Sequence, residues 1–162
     1  MQTTNELTLD TLRRLALMQH LGEDFFILNG IAYIGEEEVA KESYEAAKED
    51  FESFEHFCNS ECEEVEELEE EDYTVDYIVL TDEEADDKWE ESLDNYIEEC
   101  IQPEIDKLSE NAGNLSYYIT FDEETWKRDA RMDGRGHSLS TYDGNENEET
   151  IENTTFYIYR TN

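Results

Sequence analysis

The chain has 162 residues, with 46 aspartates and glutamates against 11 lysines and arginines, for a formal net charge of −35. Ten tyrosines, 12% aromatic residues overall and a single proline favour a packed fold over a disordered acidic tail. The charge argues against nucleic acid or an anionic membrane as a direct partner, because phosphate would be repelled over most of the surface, and it points to basic proteins instead.

The first predicted element is an amphipathic helix over residues 9–21, where Leu9, Leu12, Leu15, Ala16 and Leu21 recur at helical spacing between Thr8, a good N-cap, and Gly22. Phe25–Leu28 and Ile31–Ile34 then flank Asn29-Gly30, the pair suited to positive φ at both centres of a type I′ turn, which predicts a two-residue hairpin. Its apolar strands need cover.

The cover is expected from the acidic segment that follows. Ala40, Tyr44, Ala47, Phe51, Phe54, Cys58, Cys62, Val65 and Leu68 form a helical apolar stripe, broken into two helices at Asn59-Ser60, with the intervening glutamates facing outward. Residues 73–80 are β-branched and aromatic and predict a strand. Thr81 with Glu84 forms a capping box for a helix bearing Ala85, Trp89, Leu93, Tyr96, Ile97, Cys100 and Ile101, which Pro103 should kink or end. Residues 111–114 read as a loop, Tyr117–Phe121 as a short strand, Asp122 as the cap of a helix over 123–131, and Asp133–Gly136 as a turn. Two β segments, around 138–142 and 155–160, close the chain. The expected fold class is α+β: acidic amphipathic helices packed on small antiparallel sheets, divided as 1–72 and 73–162 or forming one continuous domain.

The acidity is concentrated. Residues 36–110 carry −28 of the net charge, whereas 111–162 carry only −5 and hold Lys127, Arg128, Arg131, Arg135 and Arg160. Duplex DNA has one negative charge per roughly 1.7 Å of axis, so 28 charges correspond to about 48 Å, or roughly 14 base pairs. A helix needing only solubility usually interleaves both signs, because like charges three or four residues apart cost tenths of a kcal/mol per pair. The candidate partner-binding residues are therefore Glu42, Glu45, Glu49, Glu52, Glu63, Glu66, Glu67, Glu70, Asp86, Asp87, Glu90, Asp94 and Glu98, acting as phosphate surrogates. The C-terminal cations are expected either to anchor acidic surface from elsewhere in the fold or to form a subunit contact.

Other chemistry is weakly signalled. Cys58, Cys62 and Cys100 lie in helical patterns and suit reduced, partly buried thiols; His56 beside Cys58 and Cys62 does not make a recognised zinc spacing. His137 oriented by Asp143, with Ser138 or Tyr142 nearby, is the one arrangement resembling a catalytic base, yet no phosphate-cradling loop or serine elbow accompanies it. The expectation is a non-enzyme without metal or cofactor. No apolar run approaches the roughly 20 residues that span a bilayer, and no secretory leader opens the chain, so a cytoplasmic location is expected.

The run Leu115–Asp129, with Leu115, Tyr118, Asp122, Trp126, Arg128 and Asp129 at its marker positions, resembles the closing segment of the antirestriction proteins of the ArdA kind, where a leucine-aromatic strand leads into an aspartate-started helix. The likeness covers about 30 residues; the N-terminal helix, hairpin and glutamate-rich stripe depart from that pattern, as does the stretch from Gly134 to Gly144. The resemblance implies a DNA mimic of phage or mobile-element type that occupies the basic DNA groove of a host restriction complex, often as a homodimer. The departures leave room for a CRISPR nuclease as the target. The alternative is an acidic interaction adaptor using the Gly134–Gly144 surface.

Overall fold

The computed structural model describes residues 7–68 and 76–162. The elements, in order, are α1 (Leu9–Leu21), β1 (Phe25–Leu28), β2 (Ile31–Ile34), α2 (Glu37–Ala46), α3 (Phe54–Glu61), β3 (Tyr77–Thr81), α4 (Asp82–Tyr96), α5 (Gln102–Ala112), α6 (Glu123–Met132), α7 (Arg135–Leu139), β4 (Asn147–Ile151) and β5 (Thr154–Arg160). The fold is α+β, with a two-stranded sheet β1-β2 and a three-stranded antiparallel sheet in the order β3-β5-β4.

The larger sheet is the middle of three layers, and the two-residue period of its strands decides which side chain enters which layer. Val79, Ile151, Phe156 and Ile158 point toward α1 and join Leu12, Leu15 and Ala16 in the main core. Ile78, Leu80 and Tyr159 point the other way, onto Ala85 of α4 and Leu139 of α7. The main core also takes Val65 and Leu68, so it draws on both sides of the 72/73 division.

The hairpin β1-β2 separates this core from a second one. Phe25, Ile27 and Ala32 face the main core. Phe26, Leu28, Ile31 and Tyr33 face α2 and α3, where Phe57 and Cys58 are buried among Ala40, Tyr44, Phe51, Phe54 and Cys62. The turn has φ 51° at Asn29 and 78° at Gly30, as the sequence pair requires.

Several expectations are corrected. The acidic stripe breaks at residues 47–53, in a 3-10 turn at Lys48–Asp50, and not at Asn59-Ser60, which lie inside α3. Ser53 supplies the cap that restarts the helix, accepting from the His56 amide. Beyond Cys62 the stripe is not helical. Residues 63–65 run antiparallel to β2, with Ile34 N–H donating to Glu63 O at 2.8 Å and Val65 N–H to Ala32 O at 2.9 Å. Pro103 does not end the helix: Ile97–Ile101 widen into a π turn that continues into α5, where Pro103 stands in the first turn. The wider turn rotates Cys100 to the surface, where the sequence reading had it partly buried.

Tyr117–Phe121 forms no strand: Gly113–Tyr118 is a 3-10 turn, and Tyr117 and Tyr118 are 89% and 83% exposed, with no strand paired to them among the described residues. The strand step of the resemblance is therefore absent, although its Asp122 cap is present, accepting from the Thr125 amide at 3.1 Å. Residues 135–139 are helix α7 where a turn and the start of a β segment were expected. The β segment expected at 138–142 is replaced by β4 at 147–151, whose pairing with β5 defines it. The predicted strand at 73–80 is seen from Tyr77 onward; residues 73–75 lie outside the described residues.

Candidate functional site

The acidic residues divide into two groups according to what lies beside them. The first is an arm over residues 36–68, which carries 14 carboxylates and two lysines. Its aromatic side chains are turned onto the hairpin and Val65 and Leu68 into the main core, so its carboxylates are left outside: Glu42 and Glu45 on α2, Glu49 in the 3-10 turn, and Glu52, Glu63, Glu66 and Glu67 in the connecting segments are all exposed. Among the described residues, the cations in ion pairs within this arm are Lys41, 3.4 Å from Glu37, and Lys48, 3.7 Å from Glu45. Both pairs are open to solvent and worth little. Glu67 is steadied by the Thr8 hydroxyl at 2.8 Å. Glu63 and Glu66 line a groove with Glu23, Asp24 and Arg14. Glu70 lies outside the described residues.

The second group sits on α4 and the π turn after it. Residues 82–101 carry ten carboxylates and one lysine, which over about 30 Å of helix is close to the charge density of one DNA strand, one per roughly 3.4 Å. Here the C-terminal cations intervene. Lys127 reaches Asp94 at 2.5 Å and Glu90 at 3.8 Å, and Arg131 donates to Glu90 through Nε at 2.8 Å. Arg135 contacts Asp82 at 2.8 Å, Asp86 at 3.0 Å and Glu146 at 2.8 Å, with Tyr157 below it at 4.5 Å. Asp86, Glu90 and Asp94 are thus partners of the chain's own cations, with Asp86 and Asp94 still exposed, as are Asp87 and Glu98. Anchoring of acidic surface, one of the two roles considered for Lys127, Arg131 and Arg135, is present in the fold.

The Arg135 site is tightly coupled. Burial disfavours its charge, but hydrogen bonds to Glu146 and Asp82 outweigh that and raise its pKa. Burial would raise Glu146, yet Arg135 and the Tyr159 hydroxyl, 2.6 Å away, hold it below the ordinary carboxylate range. Desolvation and that same carboxylate push Tyr159 upward. α7, which presents Arg135, can lie this close only because residue 136 is glycine: a Cβ there would meet the Gly144 carbonyl oxygen at 2.7 Å.

A further buried charge was missed in the sequence. Arg13, on the inward face of α1, is 2% exposed; it donates to the Val79 carbonyl at 2.6 Å and to both carboxylate oxygens of Glu84. Glu84 also accepts from the Thr81 amide as the capping-box partner. Although burial would raise its pKa, these donors hold Glu84 below its usual value. An arginine on a leucine-rich helix looks like a solvated side chain until the sheet opposite is known.

The arrangement considered around His137 does not pair it with Asp143. Asp143 accepts from the Ser140 hydroxyl at 2.6 Å and the Asn145 amide at 3.0 Å, and these hydrogen bonds lower its pKa. It locks the turn after α7 and does not orient His137. The polar groups between Gly134 and Gly144 are largely spent in this way, with Ser140 accepting from the Arg160 amide and Arg160 lying 4.0 Å over the Tyr142 ring. Burial and hydrogen bonding to Cys62 push the Cys58 thiol up to about 12. Among the described residues, no three histidine, cysteine, aspartate or glutamate side chains converge as a metal site, and no helix is long and apolar enough to cross a membrane. No family model, curated protein or solved structure matches the chain.

Proposed function

We propose that the protein is an inhibitor that acts by mimicking DNA: it fills the basic groove of a host DNA-binding defence enzyme, a restriction-modification complex or a CRISPR nuclease, and keeps DNA out. The single observation that carries this reading is the arm over residues 36–68. Its aromatic side chains pack against the hairpin while its carboxylates face solvent almost without cations. Elsewhere the same chain pairs its acids with Lys127, Arg131 and Arg135, so the lack of pairing on the arm is a local choice.

The mechanism needs no catalytic group. A Lys/Arg-lined groove holds counter-charges for DNA; the carboxylates take those places, release the bound ions and exclude the duplex. Each carboxylate contributes little, and the effect is collective. The resemblance of the Leu115–Asp129 segment to antirestriction proteins points the same way and rests chiefly on the Asp122-started helix, since the strand before it is missing. Such a protein would work in the host cytoplasm.

The test is capture of binding proteins from host lysate with and without excess duplex DNA. The reading requires a nuclease or modification subunit that is recovered only when DNA is absent, and whose binding weakens steeply with salt. A partner indifferent to both salt and DNA would leave mimicry without support.

A further inference from the structure

α4 and α6 do not close upon one another. Between them lies a cleft of about 540 Å³, within the range of small-ligand sites. Trp126, Asp129 and Asp133 line it from the α6 side, Leu93 and Tyr96 from α4, and His137 from α7. The Tyr96 and Trp126 rings stack at 5.5 Å with only 5° between their planes, and Tyr96 is 52% exposed.

The two aspartates give the cleft its charge. The side chains of α6 that reach α4 in ion pairs are Lys127 and Arg131, and Asp129 and Asp133 stand exposed at the rim of the cleft beside them. Carboxylates in the last turn and at the C-cap also oppose the helix dipole. The neighbouring cations Lys127 and Arg131 are committed to Asp94 and Glu90. Asp129 has only a 3.5 Å contact with Arg128, and both of those side chains are mostly exposed.

We infer that this cleft receives a guanidinium group, the arginine side chain of a basic protein partner. A flat aromatic stack suits a planar cation, and two carboxylates about one turn apart offer acceptors to a forked donor; the compact ammonium of lysine uses neither feature well. The inference rests on the proposed reading only in taking the partner to be basic, not in requiring DNA to displace it.

The test titrates the intact protein with N-acetyl-arginine methylamide and, at matched ionic strength, N-acetyl-lysine methylamide, following the Trp126 indole N–H by NMR. The expected result is a saturable shift with arginine at least about fivefold tighter than lysine, from stacking and forked donation. It should be lost in the folded Asp129→Asn/Asp133→Asn variant and kept in Glu42→Gln/Glu45→Gln. Equal responses to the two probes, an unsaturable shift, or a shift surviving the double aspartate change would each overturn the assignment. Because no DNA-binding target is in this assay, its failure leaves DNA-competed capture untouched, and failed capture leaves the arginine titration to stand.

Discussion

The arm over residues 36–68 and the outer face of α4 have similar composition and opposite electrostatics. On α4, three cations delivered by α6 and α7 pair with Asp82, Asp86, Glu90 and Asp94 at the surface. On the arm, two exposed lysines serve 14 carboxylates. The same residue type is therefore structural in one place and unspent in the other, and charge density alone cannot tell which. What distinguishes them is whether a distant part of the chain supplies a counter-charge. A self-repelling surface carries a folding cost, and the second core, with six aromatic or sulfur-bearing side chains of the arm packed against the hairpin, offsets it.

The sharpest way to break the comparison is to neutralise each region in turn. Replacing Glu42, Glu45, Glu49, Glu52, Glu63 and Glu66 with glutamine should cost on the order of a thousandfold in affinity for the target at moderate salt, since about six phosphate-like contacts are removed. Thermal stability should hold or rise, because the change relieves repulsion. Asp86→Asn/Glu90→Gln/Asp94→Asn should do the reverse, lowering the melting temperature with a far smaller loss of binding. Calorimetry and target titration on both variants decide the matter; equal loss of binding in the two sets would erase the distinction.

The arm's dependence on its own small core gives the next largest effect. Phe57 is 7% exposed, stacks with Phe54, tilts against Tyr44 and meets Phe51 edge-on. Phe57→Ala should cost about 3–4 kcal/mol. Hydrogen exchange should localise that loss to α2 and α3, leaving α1 and β5 protected, because the hairpin stands between the two cores. Uniform acceleration across the chain would mean that the cores melt as one.

On the other side of the comparison, Arg135→Ala removes a side chain 11% exposed that holds Asp82, Asp86 and Glu146 together. The expected cost is about 2–3 kcal/mol, since the partner carboxylates are themselves partly solvated and can rehydrate. Arg135→Lys should recover only part of it, because a lysine keeps the charge but not the fork or the stacking on Tyr157. Denaturant unfolding of both variants checks this, and full recovery by lysine would reduce Arg135 to a point charge.

Features specified by neighbouring residues were legible in the sequence. Thr8 and Gly22 bracket α1, Asn29-Gly30 turns the first hairpin, Thr81 with Glu84 starts α4, and Asp122 starts α6, all within a few residues of the signal. Features specified by distant partners were not. The segment Asn147–Ile151 is polar enough to pass for a loop and is a strand because β5 lies beside it. Val65 and Leu68 continue a helical spacing by coincidence, since a bridge to β2 holds Val65 and the Leu68 amide donates to the Asp10 carbonyl of α1. Candidate site residues divide likewise: outward placement of Glu42, Glu45, Glu49 and Glu52 follows from the stripe, whereas pairing of Asp86, Glu90 and Asp94 depends on cations 33 to 49 residues away.

The smallest effect is also the most diagnostic of how the α4 side is held. Glu146 is depressed below its ordinary value of 4.5: burial alone would raise it, and Arg135 and the Tyr159 hydroxyl more than reverse that. A carboxylate whose folded pKa lies below its unfolded one stabilises the fold above the unfolded value, and that contribution disappears as pH falls through the folded one. Glu146→Gln keeps the shape and a hydrogen-bond acceptor but removes the titration. The variant should therefore melt lower than the parent at neutral pH, and the gap should close only below pH 4.5. Thermal melts across that range read the effect directly. A gap that stays constant with pH would mean that Glu146 acts by shape alone, and that the pairing of acid with cation, which separates α4 from the arm, adds nothing to the stability of this side.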